Sequence, residues 1–557
     1  MNRAPSSHDR WAAGITFAIC AGFLALLLTG LDRFPPVQQD EPWIASAAAH
    51  LAETGTYGSP LFTGFYGAER HVFMFPPLLP LLEAGTFAVA GVDVVTMRLP
   101  GVLAALLIVI AASLAAVRLG GPACGVLAAA LLVCLSPAGR WNGTAGVPLL
   151  DVARVARYDI LVPALGLAAL LVFERARAPR SRALLCLGGA LTGLATLAHL
   201  YGAFWLAGLL GVVMLRPASR AGRGRDAGWL VAGFALALLP ALIWIGTAWT
   251  DFLGQQQILR ERFGLLDARF YLDNLLREPE RYRQLLTNAD PLRSMFTRPG
   301  LWIVLAGTPL ALVHLIVWRR TGRDRVDFTI AVLLISQIAL FALLVRLKTF
   351  SYLISLWPLV VVLIAATAIR LWHGSPVASG AAPDAVPAGS RRPPSRGRRA
   401  TRFALVLLFA AGFVEGGIRI GQWMARMSGT TRYADVAARI AEHVPPGVHV
   451  LGLHHWWLGL QEHRFTSWLL PVWWNDARYT RPPLPFDEAL ERVDPAIIIV
   501  DPPMAAYLAE IARPDHAQHD RFVAWRAWAE RHAIDRVARI TDPTWGTIEI
   551  WRVPSGP

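Results

Sequence analysis

Apolar residues arrive along this chain in long unbroken blocks separated by short arginine-bearing segments. The blocks follow neither the 3.6-residue stripe of an amphipathic helix nor the alternation of a half-buried strand. A helix needs about 18 to 20 apolar residues to cross the hydrocarbon of a bilayer. Blocks of about that reach run from Trp11 to Leu31, Leu99 to Val117, Gly121 to Ser136, Ile160 to Phe173, Gly228 to Thr250, Leu301 to Val317, Phe328 to Val345, Tyr352 to Ile369 and Phe403 to Ile420. Ala183 to Leu215 is long enough for two short spans, and Pro76 to Ala90 is short enough to be juxtamembrane or partial. The first block follows Arg3 and Arg10 and lacks a small-x-small cleavage site before Asp32, so it is read as a retained span.

Arginines in short loops mark the cytoplasmic side. Those at Arg118, Arg175 to Arg182, Arg216 to Arg225, Arg319 to Arg325 and Arg391 to Arg402 all fall on one side of such a threading. The expectation is an α-helical multi-pass protein of about eleven spans in the inner (plasma) membrane, N-terminus cytoplasmic, with a C-terminal extracytoplasmic α/β domain. Residues 1–370 form the main transmembrane module, with outer loops 32–75 and 251–300. Residues 371–402, rich in Pro, Gly, Ser and Arg, read as a disordered basic linker on the cytoplasmic face, and 403–421 as the last span. Residues 422–557 change character. Polar helical stretches (Tyr433 to His443, Phe522 to His532) alternate there with β-rich runs (Val448 to Leu453, Ala496 to Val500, Thr547 to Val553).

Composition agrees: 55% of the residues are hydrophobic, 17% are charged and the mean hydropathy is +0.43, a balance that requires lipid as solvent. The net charge of +14 is mostly topology, so no nucleic-acid partner is expected. All four cysteines lie within apolar blocks, which speaks against a disulfide framework or a cysteine metal site.

Few polar residues stand out. Asp40 and Glu41 are adjacent acids close after the first span; a helix N-terminus, where negative charge is favoured, explains them as well as chemistry does. Asp159, in Arg157-Tyr158-Asp159, opens a span on the same outer side, and ionisable groups at membrane depth tend to be functional. His199 lies near the turn within the Ala183 to Leu215 block. Lys348 is the one lysine in a chain whose other basic side chains are arginines, and it sits with Tyr352 at the outer end of a late span. Lysine offers a compact point charge where arginine offers a planar fork, so a site holding one phosphate can distinguish them. No ligand set requires a metal. The tryptophans at 456, 457, 468, 473 and 474 suit stacking against a sugar, anchoring at the membrane interface or core packing.

Taken in order, the Asp40-Glu41 pair, Phe75-Pro76-Pro77-Leu78, Arg98-Leu-Pro100, Arg157-x-Asp159 and the Lys348 to Tyr352 to Pro358 segment resemble the GT-C glycosyltransferases. Within them the chain resembles the family-39 group of protein O-mannosyltransferases and aminoarabinose transferases, over residues 1 to about 370. The resemblance implies transfer of one sugar from a polyprenyl-phosphate donor to an acceptor (protein, lipid or polysaccharide) at the outer face, with inversion and with no cofactor required, and it allows a divalent metal ion near the first-loop acids. It makes Asp40 the general base and Glu41 its orienting partner, and it assigns Asp159, Arg157, His199, Lys348 and Tyr352 to donor or acceptor binding. The aminoarabinose transferases carry a lysine before the Pro-Pro where this chain has Phe75, leaving Arg70, His71 or Lys348 to meet the phosphate. A lipid or glycan transporter and a non-catalytic envelope assembly protein are the other readings. Spans of Ala, Leu, Val and Gly without buried ions speak against transport.

Overall fold

The computed structural model describes residues 7–138, 143–176, 181–215, 219–262, 264–286, 298–319, 325–373 and 396–554. It is a bundle of apolar helices carrying a small α/β domain, as the hydropathy pattern predicts. Among the described residues four helices are long and apolar enough to cross a bilayer, including Val94–Gly120 and Arg220–Thr247, and seven further apolar helices are shorter. Exposed Phe17, Leu103, Leu107, Leu114, Leu236, Leu242 and Ile243 on these helices face outward, the placement that lipid rather than water accommodates.

The Ala183 to Leu215 block divides as expected, into Arg182–Ala198 and Ala203–Leu215. The break is His199, whose extended backbone (φ −157°) ends the first helix and whose Nδ1 accepts the Tyr201 N–H to start a single 3₁₀ turn. Gly189 and Gly193 let Arg182–Ala198 approach the Arg220–Thr247 helix backbone to backbone, since a Cβ on Gly189 would lie 1.9 Å from the Leu230 carbonyl oxygen.

Two expectations change. The stretch read as linker is helical at both described ends, because Trp357–His373 runs into it and the next helix, Arg396–Ser428, begins within it. Arginine and alanine propagate a helix well, so the last span gains turns beyond its apolar part. Residues 374–395 lie outside the described residues. Secondly, the apolar spans do contain a buried ionisable group: Glu83, in Leu78–Ala90, is fully buried with neither carboxyl oxygen bonded. The tryptophans at 456, 457, 468, 473 and 474 are all buried, which agrees with core packing among the readings offered for them.

The C-terminal domain holds a five-stranded sheet, of which the sequence pattern anticipates β1 (His449–Gly452), β3 (Ile497–Val500) and β5 (Gly546–Arg552). With β2 (Arg464–Ser467) and β4 (Asp535–Asp542) the order is β2-β1-β3-β5-β4. The first three strands are parallel, and β5 runs antiparallel to both its neighbours. The domain is fixed to the bundle by an aromatic cluster in which Trp43 and Phe62 meet Trp473 at centroid distances of 5.6 and 4.9 Å. Arg432 pairs with Asp32, and the Tyr66 hydroxyl donates to the Tyr479 carbonyl.

Candidate active site

Loops from four parts of the chain converge beside this cluster around a cavity of about 540 Å³. The helix Asp40–Thr54 presents Asp40 and Trp43 to it, the segment before Leu161–Ala176 presents Arg157 and Tyr158, the loop after Trp249–Gln255 presents Arg277 and Glu280, and the turn after Arg325–Leu344 presents Arg346, Lys348 and Tyr352.

Asp40 is about half exposed, and its Oδ2 lies 2.5 Å from Arg157 Nη1. Arg157 is held from behind by Asp159, which is buried and accepts from Nε at 2.9 Å. Burial works against the charge on Arg157, but Asp159 and Asp40 outweigh it and push the guanidinium above its ordinary range. The second oxygen of Asp159 has no bonding partner.

Glu41 does not share this site. It is fully buried and points into the bundle, where its oxygens accept from Arg98 Nε at 2.8 Å and Nη2 at 2.9 Å and from the backbone N–H groups of Ala156 and Gln38. Adjacent helical residues diverge by about 100°, so Asp40 and Glu41 cannot face the same cavity. Glu41 therefore fixes the loop of Arg157 to the helix of Asp40, and Arg98 extends that brace to the carbonyls of Leu31 and Pro35.

His199 stands behind the cavity wall rather than in it. Its ring packs on Tyr158, Tyr201 and Tyr352 at 5.0, 3.8 and 5.5 Å. Tyr352, buried, lines the cavity from the turn Phe350–Ser355.

Lys348 lines the cavity but presents no open ammonium. Its Nζ lies 2.7 Å from Glu278 Oε2 and also donates to the carbonyls of Phe341 (3.2 Å) and Ala342 (3.4 Å), capping the end of Arg325–Leu344. Neither Arg70 nor His71 takes its place, since both turn to Asp251 and neither lines the cavity. The cations the sequence reading passes over are Arg277 and Arg346, both largely exposed and both lining it. Their only signal is position, each a few residues from the proposed phosphate contact or from Glu278.

No family model matches the chain, and no curated protein matches it in sequence. Solved structures do. Residues covering 98% of this chain superpose on 99% of ArnT from Cupriavidus metallidurans bound to undecaprenyl phosphate, with TM-score 0.59 and 18% identity. The archaeal oligosaccharyltransferase AglB from Archaeoglobus fulgidus, in complex with an inhibitory peptide and a dolichol-phosphate, matches 96% of this chain over 74% of its own, with TM-score 0.56 and 12% identity. The chain adopts the GT-C fold. The mycobacterial arabinofuranosyltransferase AftD shares this GT-C arrangement across 99% of the present chain and 40% of its own length, with TM-score 0.50 and 17% identity.

The first-loop acids of this GT-C chain do not fit a divalent ion, because Asp40 and Asp159 share Arg157 and Glu41 is enclosed with Arg98. Among the described residues no three His, Cys, Asp or Glu side chains converge on a metal-sized position.

Proposed function

We propose that the chain is a membrane glycosyltransferase that moves a sugar from a polyprenyl-phosphate donor to an acceptor hydroxyl on the outer face of the inner membrane. The supporting observation is that one cavity holds a partly exposed carboxylate, Asp40, and two exposed guanidinium groups, Arg277 and Arg346. A base for the acceptor and cations for the leaving phosphate are the two demands of such a transfer. The carriers in the ArnT and AglB structures, undecaprenyl phosphate and a dolichol-phosphate, agree with a polyprenyl-phosphate donor.

In this reading Asp40 takes the proton of the acceptor hydroxyl as its oxygen attacks the anomeric carbon. The bond from that carbon to the phosphate oxygen breaks on the opposite side, giving inversion, and polyprenyl phosphate leaves with the bonding electron pair. Arg157, set by Asp159, keeps Asp40 pointed at the cavity, while Glu41 and Arg98 act from outside it. The acceptor is a protein, a lipid or a polysaccharide. The threading that places the N-terminus in the cytoplasm brings the cavity and the C-terminal domain to the extracytoplasmic side.

The test is transfer of radiolabelled sugar from a panel of polyprenyl-phosphate sugars by membranes containing wild type or Asp40→Asn. Transfer by the wild type that the variant loses at equal protein level supports the reading. Equal transfer by both sinks the role of Asp40, and no transfer from any donor in a complete panel sinks the enzyme.

A further inference from the structure

Glu278 opens the helix Glu278–Leu286 in the outer loop, and an acid at a helix N-terminus is by itself unremarkable. Its surroundings are not. One carboxyl oxygen lies 2.7 Å from Lys348 Nζ and the other 3.2 Å from Arg281 Nη1. The side chains of Arg281 and Lys348 are 0% and 2% exposed. Two cations thus share one carboxylate away from water, an excess of positive charge that is costly to bury.

The second observation lies on Arg281. Its guanidinium sits over the Phe341 ring at 5.2 Å, and its Nε and Nη2 are buried without any bonding partner among the described residues. A carboxylate has two oxygens in one plane and cannot reach these donors while holding Lys348. A phosphate monoester brings three terminal oxygens in a tetrahedron and close to two negative charges, which matches both the open donors and the charge of the pair. The seat adjoins the cavity: Lys348 and Tyr352 line it from one side, and Arg277 and Glu280, flanking Glu278 in sequence, line it from the other.

We propose that Glu278 is a placeholder for the phosphate of the carrier that transfer releases, which is a monoester once its bond to the sugar has broken. The Lys348 and Arg281 pair is an anion seat that the outer loop fills with its own carboxylate when no carrier monophosphate is present, and that phosphate takes the seat by displacing Glu278. Lys348 keeps its two carbonyl contacts through the exchange, whereas the helix Glu278–Leu286 loses its tether and rearranges. Occupation of the seat by polyprenyl phosphate and loop movement are thereby one event. This rests on the reading of the chain as a polyprenyl-phosphate enzyme and adds to it a competition internal to the protein.

The full chain in phosphatidylcholine nanodiscs is titrated with undecaprenyl phosphate, with undecaprenol, phosphatidylglycerol and inorganic phosphate as comparison ligands. With Glu278→Gln the competing charge is gone, and undecaprenyl phosphate is expected to bind at least about tenfold more tightly than to wild type, while undecaprenol binding stays unchanged. Arg281→Ala is expected to weaken undecaprenyl phosphate in either background. Independently of any variant, saturating wild type with undecaprenyl phosphate is expected to speed amide hydrogen exchange in residues 278–286. Equal or weaker binding by Glu278→Gln, or unaltered exchange across that helix, overturns the placeholder while leaving the transferase reading intact. Equal gains for phosphatidylglycerol or inorganic phosphate make the seat a general anion site and also overturn it. A wild type that binds no undecaprenyl phosphate at all removes the donor reading and the placeholder together.

Discussion

Asp40 and Arg157 are joined at 2.5 Å through Oδ2 and Nη1, although 117 residues separate them in sequence. The contact leaves the carboxylate partly exposed to the cavity while fixing its direction. Asp40→Asn keeps the shape and removes the base, so kcat is expected to fall by roughly 10² to 10⁴ with donor KM little changed. Arg157→Lys cannot bridge both acids with a planar fork, and Asp159→Asn weakens the hold on Arg157; each is expected to give a smaller loss of kcat. Initial rates at saturating and limiting donor separate these outcomes.

Arg277 and Arg346 line the cavity and are both exposed. A charge-assisted hydrogen bond to phosphate contributes about 1.5 to 3 kcal/mol, so Arg277→Ala or Arg346→Ala is expected to raise donor KM by roughly tenfold to a hundredfold. Because the contact is partly in water, raising the salt concentration weakens wild-type donor binding and narrows the gap to the variants. Donor KM measured across an ionic-strength series checks both statements.

Glu41 and Arg98 form a pair with both side chains 0% exposed. Truncating one partner strands the other charge, and Glu41→Ala or Arg98→Ala is expected to cost roughly 3 to 5 kcal/mol of stability. Exchanging both for apolar residues of similar volume, as in Glu41→Leu with Arg98→Met, is expected to recover much of that loss. Thermal unfolding in detergent gives the stabilities, and the double variant's transfer rate shows whether Arg157 still reaches Asp40.

Asp151 accepts the N–H groups of Ala145 and Gly146 at 2.6 and 2.8 Å and pins the loop that brings Thr144 to the cavity. Burial raises its pKa to about 7 against the two amide contacts and the nearby arginines. The folded chain then holds a proton that the unfolded chain releases near 3.8, so stability is greatest below that value and declines as pH rises toward 7. Asp151→Asn is expected to flatten the dependence of the unfolding midpoint over pH 4 to 7. An equally sloped variant removes Asp151 as its source.

The helices were legible because a membrane span must satisfy its backbone within itself, which leaves long apolar blocks as a nearly direct record of structure. Even the division at His199 showed, since a polar residue and a glycine-bearing turn interrupt that block. The soluble domain was half legible. The apolar run Ile497–Val500 declares itself, whereas Arg464–Ser467 is short and polar and Asp535–Asp542 is a charged edge strand. At the site, Arg157 and Asp159 share one short segment, but nothing in their spacing points to Asp40, and only the order of motifs along the chain linked them. The adjacency of Asp40 and Glu41 misled, because neighbours on a helix look in different directions. Arg277, Arg281 and Arg346 were hidden by abundance: where most loops carry arginine to set topology, one that faces a cavity carries no mark of its own. Lys348 stood out for its rarity, and that rarity said nothing of the carboxylate already beside it.

That lone lysine gives the chain one side-chain primary amine, enclosed and ion-paired. Acylating reagents that modify amines act on the uncharged form and need room to approach, so they find no other side chain of that kind in the molecule. Their slow reaction with Lys348 becomes a covalent clock for how often the outer loop lifts away, read on the native sequence with no reporter group installed.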